Sequence, residues 1–201
     1  ERAAQAEIPG EIILADSADG DSYQFRGTVR THGFDYAVGI HGTTKVWLLD
    51  AASRRRGQAL SAETLMSQLG QKAFRRVTWR EGTSGKLSSR FCFRRVKVAQ
   101  EDGIDPAKHE AVWLMAEWPD GEVAPTQFTL TTLSRRMSKK QIVRTTKGRW
   151  RTERAYEDLK GEFGLDHFEG RTFPGWNHHG SVVLCCNAFV TVERVRHSPP
   201  S

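Results

Sequence analysis

A short basic segment, residues 147–160, carries the residue types and the spacing that phosphodiester chemistry needs. Arg149, Glu153, Tyr156 and Lys160 lie in it, and with about 100° between successive helical residues these side chains share one stripe. A carboxylate on such a stripe can hold a divalent metal ion while the neighbouring cations bind phosphates. The same spacing is typical of a solvent-exposed helix with Glu–Arg ion pairs, so spacing alone leaves both interpretations open.

The basic residues are segregated along the chain. The net charge is +6, yet residues 72–97 contain nine Lys or Arg and one acid, and residues 134–160 contain ten and three. Basic blocks beside an acidic remainder favour a surface that binds a polyanion, although scattered charged faces would give the same counts. Trp79 and Trp150 lie in these blocks; each is able to stack on a base, but tryptophan is more often a core residue.

Arg149, Glu153 and Lys160 form the pattern R-x3-E-x6-K. This pattern resembles the Y-x2-R-x3-E-x6-K signature of DDE transposases of bacterial insertion sequences, in the IS-four-like group, with Thr146 in place of the tyrosine. Residues 12–21 resemble the strand and turn that carry the family's second catalytic aspartate. Further similar segments span almost the whole chain, namely residues 77–83, 87–91, 164–171 and 175–179.

The resemblance implies that Asp16 and Glu153 are the catalytic acids and that both bind the metal cofactor, Mg²⁺ or alternatively Mn²⁺. It also implies a set of side chains that contact DNA: Lys147, Arg149, Trp150, Tyr156 and Lys160. Asp19 and Asp21 are rival acids in the turn after Asp16, and Asp21 is more typical of a helix N-cap.

The family's first catalytic aspartate precedes the second, but no aspartate precedes Asp16 in this sequence. We therefore expect a chain that lacks the N-terminal part of the catalytic domain and that does not cut DNA by itself.

Regular elements must position these acids. Residues 12–15 predict a short buried strand, followed by a helix over 21–32 that is capped by Asp21 or Ser22 and closed by Gly33, and by a strand at 36–40. Such a strand–helix–strand unit usually pairs in parallel. Further strands are predicted at 44–49, 74–80, 90–99, 110–118 and 126–132. Helices are predicted near 61–71, at 138–163 with a break near Gly148, and at 176–195; residues 1–7 predict the end of a helix, and 100–108 a mobile loop.

This pattern predicts a mixed α/β fold. The resemblance implies the C-terminal part of a ribonuclease-H-like fold with a β-rich insertion. In that arrangement residues 1–43 and 134–201 form the core, and residues 44–133 form the insertion.

The function that the resemblance implies is metal-dependent cleavage and strand transfer at the ends of an insertion sequence. The partners would be DNA, at the element ends and the target, and a second copy of the protein in a synaptic complex. Two alternatives are a catalytically inactive DNA-binding remnant and a ribonuclease-H-like nuclease that does not act in transposition.

Composition predicts where the protein works. The sequence has no apolar run long enough to cross a membrane and no signal-peptide pattern. Its three cysteines do not suggest a disulfide framework, and Cys185 and Cys186 are expected in a helix core. We therefore expect a cytoplasmic, nucleoid-associated bacterial protein that does not bind membranes.

Overall fold

The computed structural model describes residues 10–82, 85–99 and 110–197. The strands in these residues are β1 Ile12–Ala15, β2 Asp35–Ile40, β3 Lys45–Leu49, β4 Arg55–Ser61, β5 Arg75–Gly82, β6 Gly85–Val98, β7 Val112–Trp118 and β8 Gln127–Thr131. The α-helices are α1 Ser17–Gly20, α2 Tyr23–Thr31, α3 Ala62–Gln68, α4 Lys139–Thr146, α5 Trp150–Gly161 and α6 Phe173–His197. Single 3₁₀ turns form at Gln71–Ala73 and Lys147–Arg149.

The described strands form one eight-stranded mixed sheet in the order β1-β2-β8-β7-β6-β3-β4, and β5 pairs with β6. β1 and β2 are parallel, as the sequence predicted, whereas β2 pairs antiparallel with β8. The protein is therefore a mixed α/β protein with a large mixed sheet. The strands between residues 44 and 133 continue the sheet from β2, and the predicted domain boundaries stay a prediction.

Two compact units make up the chain, Glu1–Lys147 and Gly148–Ser201. The first unit contains the sheet and α1 to α4, and the second contains α5 and α6.

Apolar side chains cover both faces of the central strands. In β6, Cys92 and Val96 belong to the larger core cluster on one face, whereas Phe91 belongs to a second cluster on the other face, together with Val143 of α4. Residues alternate between the faces of a strand, and burial of both faces explains the nearly continuous apolar run of β7. The central strands are thereby held rigidly from both sides.

The parallel unit at the edge of the sheet owes its turn to local sequence. Ser22 caps α2 by accepting a hydrogen bond from the backbone N–H of Phe25 at 3.2 Å, and Gly33 follows the helix with φ of 81°. Both predictions are confirmed. The alternative of Asp21 as the N-cap is wrong, because its carboxylate accepts from Thr44 and His41 instead. β1 is only half-buried, contrary to the predicted buried strand, because it lies at the sheet edge.

Most of the other predicted elements are present, and some predictions are wrong. The strands near 44–49, 74–80, 90–99, 110–118 and 126–132 and the helix break near Gly148 are confirmed, but β4 was not predicted. Cys185 and Cys186 are exposed, so their expected place in a helix core is wrong. The predictions for residues 1–7 and 100–108 lie outside the described residues.

The long helix α6 carries large apolar side chains on its exposed surface, among them Val182, Leu184, Phe189, Val192 and Val195. In the described ranges no helix has the combined length and apolarity to cross a membrane.

Candidate active site

Asp16 stands directly after β1, and its side chain begins α1. Asp16 Oδ1 accepts a hydrogen bond from the backbone N–H of Ala18 at 3.0 Å, so the carboxylate is the N-cap of the helix. The side chain is exposed. A rigid strand end followed at once by a capped turn fixes an acid at the surface.

A close approach between two glycines holds this turn against the sheet. A Cβ atom on Gly20 would lie 1.8 Å from the carbonyl oxygen of Gly39 in β2, so only glycine fits. From the β2 side of this approach, a Cβ on Gly39 would lie 3.2 Å from the carbonyl carbon of Asp16. The backbone of β2 therefore determines where Asp16 lies.

The rival acids of this turn occupy different environments. Asp19 is exposed, whereas Asp21 is half-buried and accepts a hydrogen bond from Thr44 Oγ1 at 2.6 Å and others from the backbone and ring of His41. Partial burial alone would raise the pKa of Asp21, but the hydrogen bonds from Thr44 and His41 outweigh it and lower the pKa below its ordinary value. Asp21 thus fastens α1 to the turn between β2 and β3.

Glu153 lies in the first turn of α5, and Arg149 precedes the helix. Arg149 Nη2 and Glu153 Oε1 form an ion pair at 2.9 Å, with 48% and 59% of the two side chains exposed. Arg149 and Glu153 are therefore neighbours, as their spacing predicts. Exposed ion pairs of this kind contribute only about 0–1 kcal/mol, so either partner can exchange the other for a ligand at little cost.

The remaining residues of this helix are also exposed. Tyr156 and Lys160 lie at the surface, and Trp150 is half-buried at the start of α5. Arg154 forms ion pairs with Glu157 at 3.4 Å and with Asp158 at 3.2 Å. These pairs are what the interpretation as a plain solvated helix predicts, so the case for chemistry on α5 depends on the family of the chain.

Lys147 has partners inside the first unit. Its ammonium group donates to Gln127 Oε1 at 2.9 Å and forms an ion pair with Glu117, whose side chain is 8% exposed. The Lys147 ammonium also lies 5.5 Å from the ring centroid of Trp79. The predicted contact of Lys147 with DNA stays a prediction. Trp79 packs edge-to-face on Phe91 at 5.7 Å, as a core residue does.

The predicted metal ligands are the carboxylates of Asp16 and Glu153. In the parts of the chain that the structure describes, no three His, Cys, Asp or Glu side chains form a cluster suited to a metal ion. Asp16 belongs to the first compact unit and Glu153 to the second. Both offer exposed carboxylate oxygens, the donors that Mg²⁺ prefers, and Mg²⁺ commonly takes one or two carboxylates and completes its shell with water and phosphate oxygens. Their donor chemistry therefore fits the predicted cofactor.

One group of charged residues could not be predicted from the sequence. Arg95 comes from the first basic block and Lys139 from the second, but the structure brings both beside Trp113. The charge of Arg135, also from the second block, lowers the pKa of each of them. The two basic blocks were the only signal in the sequence, and they gave no indication of which members meet.

Fold and site together define an α/β domain with surface acids and clustered cations, the groups that enzymes of phosphodiester chemistry use. The family model described as "Transposase DDE domain" matches residues 2–186. The chain therefore belongs to the transposase DDE domain family, whose members act on DNA. No curated protein matches the chain.

Proposed function

We propose that this chain is the catalytic part of a DNA transposase that cleaves and rejoins DNA at the ends of an insertion sequence. The carrying observation is the family match, which includes Asp16, its capped turn and the whole of α5. The R-x3-E-x6-K pattern supports the IS-four-like group. A ribonuclease-H-like core with a β-rich insertion at 44–133 and a homodimer in a synaptic complex belong to the same proposal.

Asp16 and Glu153 are the acids that would hold Mg²⁺ or Mn²⁺. The bound ion would activate the attacking oxygen and stabilise the leaving oxygen of the phosphodiester. Asp16 is suited to this role because the strand end and the cap fix its side chain. Glu153 is suited because its ion pair with Arg149 is exposed and therefore weak.

The cations of α5 would bind the phosphates that flank the scissile bond. Arg149 lies beside Glu153, so exchange of this ion pair for a metal and a phosphate conserves the charge balance at both groups. Lys160 is exposed further along the same helical stripe, and Tyr156 lies between Arg149 and Lys160. Trp150 projects about 100° away from Arg149, where its ring would receive an unpaired base.

The decisive experiment is a binding and cleavage assay with the 201-residue chain and duplex DNA. We expect binding that weakens steeply with salt and depends little on sequence, because phosphate contacts dominate it. We expect no cleavage in Mg²⁺, because the resemblance implies a further catalytic aspartate besides Asp16 and Glu153. Failure to bind DNA would overturn the proposed function.

The alternative of an inactive DNA-binding remnant predicts the same result for this chain, binding without cleavage. If the purified chain nicks DNA in Mg²⁺ and Glu153→Ala abolishes the nicking, the remnant is excluded and so is our expectation of inactivity. A nuclease that does not act in transposition would cut DNA without joining a cut element end to a target molecule.

A further inference from the structure

A cluster of cations surrounds an aromatic pair on the face of the sheet that α4 covers. Trp113 of β7 and Phe93 of β6 meet edge-to-face, with ring centroids 6.3 Å apart. The Lys139 ammonium, from the first residue of α4, lies 3.1 Å from the Trp113 centroid and 4.7 Å from that of Phe93. The Arg95 guanidinium lies 5.1 Å from the Trp113 centroid. One indole ring thus carries two cations.

The charges in this cluster repel one another. Partial burial and then the charges of Arg95 and Arg135 lower the pKa of Lys139 to about 8. Burial and the charge of Arg135 also lower the pKa of Arg95, although Glu110 acts in the opposite direction. Lys139 begins a helix without an acid in its first turn, so the positive end of the helix dipole adds to the repulsion. This arrangement costs stability in the isolated protein.

Two polar donors at the same place are buried without a partner. Within the described residues, Arg95 Nε and Trp113 Nε1 have no hydrogen-bond acceptor. The Arg95 guanidinium donates through Nη2 to the carbonyl of Ala111, which fixes the side chain against β7. The Arg95 guanidinium and the Lys139 ammonium lie against one indole ring, and the charge of Arg135 acts on both. An anionic ligand stabilises such an arrangement of cations.

We propose that Arg95, Arg135 and Lys139 form a phosphate-binding site for the DNA backbone, with Trp113 and Phe93 as its floor. This inference rests on the proposed function, and it assigns to the first compact unit a DNA contact separate from the residues of α5. A DNA phosphate removes the repulsion because its negative charge pairs with several cations at once. Cation–π contacts with Trp113 and Phe93 hold the ammonium and guanidinium groups in place, so that they do not extend freely into solvent.

The test compares variants of the full chain for binding to a short duplex of arbitrary sequence over a range of salt concentrations. Arg135→Gln and Lys139→Met should each lower the slope of log affinity against log salt by about one unit. Both variants should also be more stable to denaturant than the wild type, because each removes one member of a repelling cluster. A cation with a merely structural role would show the opposite change in stability.

Lys140→Met is the matched control, since Lys140 is the next residue of the same helix and is exposed. If Lys140→Met lowers the slope as much as Lys139→Met, the effect is general charge and the site is overturned. Unchanged slopes for both Arg135→Gln and Lys139→Met, in a wild type that binds DNA, would overturn the site alone. Absence of DNA binding by the wild type would overturn the proposed function as well.

A second readout does not depend on the salt slope. An amine-reactive reagent should modify Lys139 more slowly when DNA is bound, with Lys140 as the internal reference in the same mass spectrum. Equal rates at Lys139 with and without saturating DNA would contradict the proposal even if the variants bind weakly.

Discussion

At the level of single residues, the charge of Lys139 destabilises the isolated protein, and binding of an anionic ligand would remove this cost. Its pKa of about 8 lies below the ordinary value of 10.5, first because of burial and then because of Arg95 on β6 and Arg135 before α4. A lowered pKa of a lysine means that the folded protein disfavours the charged form. A bound DNA phosphate would offset this cost by pairing with the charge.

The pH dependence of stability follows from this shift. Below pH 8, Lys139 is charged in the folded and unfolded states, so the full penalty is present. Between pH 8 and 10.5 the unfolded chain binds more protons than the folded protein, and the free energy of unfolding contributed by Lys139 therefore rises with pH. Urea unfolding across this range should show this rise in the wild type and not in Lys139→Met, whereas Lys140→Met should behave like the wild type. A wild-type curve parallel to that of Lys139→Met would contradict it.

The α5 stripe gives a second prediction at the residue scale. Arg149→Ala and Lys160→Ala should each weaken DNA binding and lower the salt slope by about one unit, because each removes a phosphate contact. Glu153→Gln should leave binding intact or tighten it, because it removes a negative charge beside the phosphates. Fluorescence anisotropy titrations at several salt concentrations measure both effects.

Arg154→Ala is the control for these variants, because Arg154 lies on the same helix but pairs with Glu157 and Asp158. Unchanged slopes for both Arg149→Ala and Lys160→Ala would leave α5 as a solvated helix with surface ion pairs.

At the level of the elements, the sequence predicted what depends on local pattern. The parallel β1–β2 pair and the Ser22 cap follow from an apolar run, a cap residue and a closing glycine. β4 escaped prediction because its first residues, Arg55 to Gln58, are polar and exposed at the sheet edge. Such a strand is stabilised by its pairing with β3 and carries no apolar alternation of its own.

The candidate site was predictable to the same extent. Local spacing was enough to place Arg149 beside Glu153, but the contact of Lys147 with Glu117 and that of Lys139 with Trp113 join distant parts of the chain. Tertiary packing brings these residues together, and no local pattern encodes which ones meet. Cys185 and Cys186 illustrate the converse, since an apolar run in a helix does not determine which side of it is buried.

The contact between α1 and β2 allows a sharp test at this scale. Gly20→Ala would place a methyl group 1.8 Å from the backbone oxygen of Gly39, so α1 must shift, and overpacking of this kind costs about 1–3 kcal/mol. Gly27→Ala is the matched control, because α2 leaves open space around Gly27, and alanine in a helix stabilises by about 0.5–1 kcal/mol. Thermal unfolding should therefore separate the two variants in opposite directions. A Gly20→Ala variant as stable as the wild type would show that α1 does not depend on this contact.

At the level of the whole molecule, buried apolar side chains are distributed unevenly between the compact units. The first unit contains the sheet, with Val38, Leu114 and Leu130 fully buried. In the described part of the second unit, the buried apolar side chains are Leu159 and Val183. Local stability follows the density of buried contacts, so the unit that carries Glu153 is expected to open more readily than the unit that carries Asp16.

Native-state hydrogen exchange would measure this difference directly. Backbone amides of α6 should exchange faster than those of α4, a shorter helix whose Ile142 and Val143 are fully buried, because α6 opens without exposing comparable apolar surface. Addition of duplex DNA should slow exchange in α5, since phosphate contacts at Arg149 and Lys160 would stabilise the closed helix, by an amount that grows with DNA concentration. The control is the same DNA at a salt concentration high enough to prevent binding, where the exchange rates of α5 should not change on addition of DNA. Equal protection of α6 and α4 without DNA would mean that the two units unfold together, and unchanged exchange in α5 at saturating DNA would remove this helix from the DNA-binding surface.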